Sequence, residues 1–112
     1  MYFPEAIITL HGWLRIMPKE ICEKFSIFNG HPGLITEYPE LKGKDPQIRA
    51  FKGKYPVMGC VLHIVDAGVD EGKIIAEERF NAFKITEEEM WKVFRDRSLY
   101  MWTIFLKKVF GL

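Results

Sequence analysis

Asn29, His31 and Asp70 offer an amide, an imidazole and a carboxylate which, brought together, are the parts of an acyl-transfer site. A side-chain amide donates to an oxygen that becomes negative, an imidazole moves a proton, and a carboxylate tunes the imidazole or relays for it. Asn29 and His31 sit in FNGHPGLI (Phe28–Ile35), where an apolar run breaks into glycine and proline. Asp70 follows the second apolar run, in GCVLHIVDAGVDEG (Gly59–Gly72). In an open α/β sheet, the carboxyl ends of strands are where loops gather into a ligand crevice. Plainer roles exist for each residue. Asn29-Gly30 is a turn dipeptide, His31 can be a satisfied core histidine, and Asp70 can be a solvated turn acid. His63, inside an apolar run, reads first as a buried, hydrogen-bonded structural histidine.

The elements that must position these residues alternate along the chain. Ala6–Leu10 is a short run rich in β-branched residues and fits a strand buried on both faces, as in parallel sheets. Pro18 opens a short helix to Phe25, and Ser26–Asn29 is the next strand. Leu34–Lys44 reads as a loop. Asp45-Pro46 reads as a cap with proline at the first helical position, for a helix to about Lys52. Val57–Asp66 and Lys73–Phe80 are strands. Thr86 with Glu89 forms a capping box, and behind it Met90, Phe94, Met101, Trp102, Phe105 and Val109 recur near helical spacing. Acidic residues in the first turn, Lys107 and Lys108 in the last, and Gly111 beyond bound one helix over Glu87–Phe110. Its aromatic stripe reads first as the face of a docked core helix, with a partner-binding face as the alternative. The expected fold is a three-layer α/β arrangement ending in a long helix.

Composition narrows the function classes. The 112 residues suit one domain, residues 1–112, with a single core. A net charge of +1 leaves no electrostatic footprint for nucleic acid or an anionic membrane. Cys22 and Cys60 have no metal-ligand spacing and read as buried free thiols, which suits a reducing compartment. The N-terminal apolar run lacks a basic leader and carries Glu5, His11 and Arg15, so neither a signal peptide nor a membrane span fits. A cytoplasmic protein is expected.

Four segments together resemble the folate-dependent formyltransferases. FNGHPGLI is similar to their Asn-x-His-Pro-[Ser/Gly]-Leu signature, and ELKGKDPQIRAF (Glu40–Phe51) to their Lys-Gly-x-x-Pro-x-x-x-Ala segment. GCVLHIVDAGVDEGKIIAEERF (Gly59–Phe80) resembles the segment that carries their catalytic aspartate, and HGWLRIMP (His11–Pro18) the stretch that lines their folate pocket. The resemblance runs in order from Ala6 to Phe80. It implies a partial doubly wound, Rossmann-like formyltransferase fold, with 10-formyltetrahydrofolate as formyl donor and an amine as acceptor. It makes Asn29, His31 and Asp70 catalytic and places Arg15, Ile16, Met17, His63, Val65 and Asp66 at the folate site. Neither a metal nor a nucleophilic side chain is required by such a mechanism.

Departures from that family frame further expectations. The sequence holds no G-x-G-x-x-[GS] turn or other phosphate-cradling loop, so the folate-side and catalytic segments are present and the acceptor-side ones are not. Gly30 replaces a usual apolar residue, and Ile35-Thr36 stands where Leu-Pro is commoner. Three functions follow from this pattern. They are a formyltransferase or its catalytic half, a hydrolase that releases formate without an acceptor, and a non-catalytic remnant that binds folate or a partner. In the family sheet Ala6–Leu10 lies centrally, so an open edge there implies a homo-oligomer or a separate N-terminal half.

Overall fold

The computed structural model describes residues 7–11, 18–65 and 72–111. The expected site positions Arg15, Ile16, Met17, Asp66 and Asp70 lie outside the described residues. The elements in chain order are strand β1 (Ile7–His11), helix α1 (Lys19–Lys24), strand β2 (Ser26–His31), a 3₁₀ turn (Pro39–Leu41), helix α2 (Pro46–Lys52), strands β3 (Val57–Ile64) and β4 (Ile74–Asn81), and helix α3 (Glu87–Phe110). The strands form one sheet in the order β1-β2-β3-β4. β1 runs parallel to β2, whereas β2–β3 and β3–β4 are antiparallel.

Alternation along the strands divides the side chains between two layers. Phe28 of β2 faces α3, where its ring lies 4.7 Å from that of Phe105, and Phe80 of β4 meets Phe94 edge-on at 5.1 Å. Register places Asn29 opposite His63 and His31 opposite Val61, so these four share the other face. The 34–52 segment covers that face, and its Leu41 and Ala50 join Val61 in the core. The expected three layers are present.

α3 forms as its sequence dictates. Thr86 Oγ1 accepts from Glu89 N at 3.1 Å while Glu89 Oε1 accepts from Thr86 N at 3.1 Å, which satisfies two otherwise orphaned donors. The hydroxyl and backbone of Thr86 hold the Glu89 carboxyl below its usual range. That stabilisation is therefore present above the ordinary glutamate pKa and fades as pH falls through the lowered one. Gly111 closes the helix in the left-handed conformation at φ 69°.

Three local expectations are corrected. β1 is half-buried from Ile7 to Leu10, not buried on both faces, because among the described residues it pairs with β2 alone and forms an edge. The Leu34–Lys44 loop contains the Pro39–Leu41 turn. Asp45 precedes α2 but makes no side-chain cap, since its backbone sits in the left-handed region at φ 54°.

Gly59 is demanded by packing against backbone. A Cβ on Gly59 would run into the Glu78 carbonyl across the β3–β4 ladder, which is backbone and cannot swing aside. We expect Gly59→Ala to cost about 1–3 kcal/mol, read as a lower denaturant midpoint at unchanged slope. An unchanged midpoint would mean that β3 and β4 do not pair this closely.

Candidate active site

β2 delivers two of the three proposed catalytic side chains to one place. Asn29 and His31 are 2% and 1% exposed, so each needs internal partners. Asn29 Nδ2 lies 3.2 Å from His63 Nε2, and His63 Nδ1 lies 3.1 Å from the Ile64 carbonyl. A carbonyl can only accept, so His63 carries its proton on Nδ1 and presents Nε2 as acceptor to the Asn29 amide. His63 is thus the buried, hydrogen-bonded histidine that its apolar surroundings suggest, and it sets which way the Asn29 amide points. The β3–β4 register shifts at Leu62/His63, beside that contact, as irregular ladders do near sites that must aim a side chain.

His31 is oriented from the opposite layer. Its Nε2 donates to the Leu41 carbonyl at 2.8 Å, which fixes a hydrogen on Nε2 and the orientation of the ring. Gly33 lies so close beneath that a Cβ there would press on His31 Nε2 and on Pro46.

The loop that carries the Leu41 carbonyl is held by an arginine clamp. Arg49 donates from Nη1 to the Glu40 carbonyl at 2.6 Å, from Nη2 to Lys42 at 2.9 Å and from Nε to Lys44 at 2.9 Å. Three carbonyls around one guanidinium set the course of the loop that carries Leu41. Glu40 also accepts from the Tyr55 hydroxyl at 2.8 Å, and Tyr55 packs against Tyr38. Backbone hydrogen bonding, and then Tyr55, hold the Glu40 carboxyl below its usual range.

A cleft of about 420 Å³ opens beside His31, with His11, Gln47, Arg95, Ser98 and Trp102 in its lining. Trp102 reaches from α3 into the space above Gly30, where any Cβ would lie 2.7 Å from its indole nitrogen. Its ring packs on His11 at 4.6 Å. The indole N–H is buried and has no hydrogen-bond partner among the described residues. Cys60 also lines the cleft, but burial, and then Glu78, push its thiol up to about 12, so it stays protonated and is no nucleophile.

Of the expected folate-side residues, Val65 is buried, and its backbone N–H donates to the Ile27 carbonyl at 2.9 Å. Sequence reasoning left out His11 and assigned Trp102 only to a core stripe. The glycine at position 30 was the one signal that something large lies over the strand.

The formyl transferase family model matches residues 2–99. The chain belongs to the formyl transferase family. The phosphoribosylglycinamide formyltransferase of Bacillus subtilis (strain 168) is 34% identical over 74 residues, covering 64% of this chain and 36% of that protein. The trifunctional purine biosynthetic protein adenosine-3 of Homo sapiens is 34% identical over 78 residues, 68% of this chain and 7% of that one. Among solved structures, the phosphoribosylglycinamide formyltransferase of Campylobacter jejuni superposes with a TM-score of 0.79 at 24% identity, over 91% of this chain and 53% of its own. Glycinamide ribonucleotide transformylase 1 of Symbiobacterium toebii gives 0.67 at 29% identity, over 82% and 44%. The fold is the Rossmann-like one of this family, and the chain spans about a third of the Bacillus relative and about half of these solved chains. Among the described residues no helix is long and apolar enough to cross a membrane.

The arginine clamp yields a test that needs no substrate. Arg49→Ala should free the Glu40–Lys44 loop and let His31 sample the tautomer with hydrogen on Nδ1. Long-range ¹H–¹⁵N spectra of the imidazole read this directly, alongside a stability loss of about 1–2 kcal/mol. An unchanged tautomer in the variant would show that Leu41 is held without Arg49.

Proposed function

We propose that this chain carries the folate-binding and catalytic part of a formyl-transfer site, passing formyl from 10-formyltetrahydrofolate to an amine. Residues 1–112 act as one domain in this reading. The observation that carries it is the pairing of Asn29 and His31 on one face of β2, each fixed by its own buried hydrogen bond. Membership of the formyl transferase family supports the same chemistry.

The acceptor nitrogen enters through the cleft beside His31 and attacks the formyl carbon, whose oxygen becomes negative in the tetrahedral intermediate. Asn29 and a protonated His31 donate to that oxygen. A single preorganised donor of this kind contributes about 3 kcal/mol. Asp70 favours the charged imidazole and helps pass the amine proton to the folate nitrogen as its bond to the formyl carbon breaks. Arg15, Ile16, Met17, Val65 and Asp66 line the pterin side in this reading, and His63 acts there through Asn29.

The outer edge of β1 bears on assembly. Among the described residues it has no neighbouring strand, and Ile7, Ile8 and Leu10 are half-buried beside it. An open apolar edge invites another strand. The occupant is a second copy of this chain or a separate N-terminal half.

Two measurements test the proposal. Millimolar 5-formyltetrahydrofolate should raise the melting temperature by mass action, by an amount equivalent to about 2.7 kcal/mol at one hundred times the dissociation constant. Asn29→Ala and His31→Ala should keep that shift and lose formyl transfer by about 10²–10³-fold. No shift with the unaltered chain would leave only the remnant role. Light scattering at micromolar concentration should give a mass above the 13.1 kDa of one chain, and a cooperatively melting monomer would refute self-association.

A further inference from the structure

A second cleft lies at the β4 side of the sheet, away from the open edge of β1 and with no residue in common with the cleft beside His31. It holds about 520 Å³, within the range of small-molecule sites. Buried Met58 and Ala82, with half-buried Ile85, form its floor, and Phe51, Tyr55 and Phe83 supply aromatic walls. Phe83 is 71% exposed, an unusual state for a side chain whose burial is worth so much.

The rim of this cleft is cationic. Lys52, Lys54 and Lys84 all line it, and none takes part in the ion pairs found among the described residues. Lys54 and Lys84 come from two separate turns, and both sit in the left-handed backbone region, at φ 55° and 57°. Non-glycine residues adopt that region uncommonly, and such positions gather where a binding function keeps the side chain. Asn81 Oδ1 accepts from Phe83 N at 2.9 Å, which fixes the turn that presents Phe83 and Lys84 together. Lys84 Nζ already lies 5.3 Å from the centre of the Phe83 ring.

We propose that this cleft is a binding site for a small aromatic anion. A planar ring slides between Phe83 and the Phe51–Tyr55 wall onto the Met58 floor, and its carboxylate or phosphate meets Lys54 and Lys84. The apolar walls alone would accept a neutral ring; three ammonium groups on one rim, outside the ion pairs of the described residues, select the charged one. Nucleoside phosphates and aromatic carboxylates share this chemistry.

Chemical-shift mapping on the full chain with adenosine 5′-monophosphate and with N-benzoyl-glutamate tests the site and separates the two sources. At least one should shift the amides of residues 51–58 and 82–85, and its binding should weaken with added salt. The exposed double variant Lys54→Glu, Lys84→Glu should bind that ligand about ten-fold or more weakly at an unchanged melting temperature. Should that variant melt early, Phe83→Ala provides the same comparison through the wall. Shifts elsewhere, equal binding of uncharged adenosine or benzamide, or no binding of either anion at millimolar concentration would overturn the proposal.

Discussion

The hydrogen bond from His31 Nε2 to the Leu41 carbonyl is the constraint around which the site is built. A buried imidazole has two chemically different nitrogens, and proton transfer needs one of them committed elsewhere. Leu41 supplies that commitment from a loop, and a loop carbonyl is only as fixed as whatever holds the loop. Here the 3₁₀ turn, the Tyr38–Tyr55 pair and the three-carbonyl grip of Arg49 do so. The sheet performs the same service for Asn29, with His63 as its cross-strand partner. One catalytic candidate is therefore aimed by the sheet and its neighbour by the layer covering it.

The opposite face of β2 is shaped by a different requirement. Gly30 stands between the two candidates, and Trp102 takes the volume that a side chain there would fill. This packing couples α3 to the strand that carries Asn29 and His31. A helix whose Met90, Phe94, Met101 and Trp102 are buried behaves as a core element. Its Trp102 nevertheless closes one wall of the cleft beside His31, so the same helix both stabilises the sheet and bounds the site.

Much of this was readable from residue order, and the unreadable parts share a cause. The capping box, the charge bias and the glycine stop of α3 are local signals, and the helix runs over the expected residues. Asn29 and His31 stood out because a strand pattern stops at them. The Asn29–His63 contact depends instead on a register set across 34 residues, and the Arg49 clamp on where three carbonyls arrive. Periodicity carries neither. Asp45 misled for a related reason, since its residue type suits a cap but its backbone turns the side chain away. The half-buried state of β1 follows from its place at an edge, which no run of apolar residues reveals.

The mixed direction of the sheet also sets an order of events during folding. β3, β4 and α3 follow one another in sequence and pack on each other, so their contacts close short loops. The β2–β3 pair must first close the long span between Asn29 and His63, and such closure costs entropy before any contact repays it. The C-terminal β3–β4–α3 unit is therefore the natural nucleus, and β2 docks onto an existing surface. The cross-strand Asn29–His63 contact of the candidate site then forms late and is lost early. Partial unfolding would silence the site while leaving most of the helix and its hairpin intact.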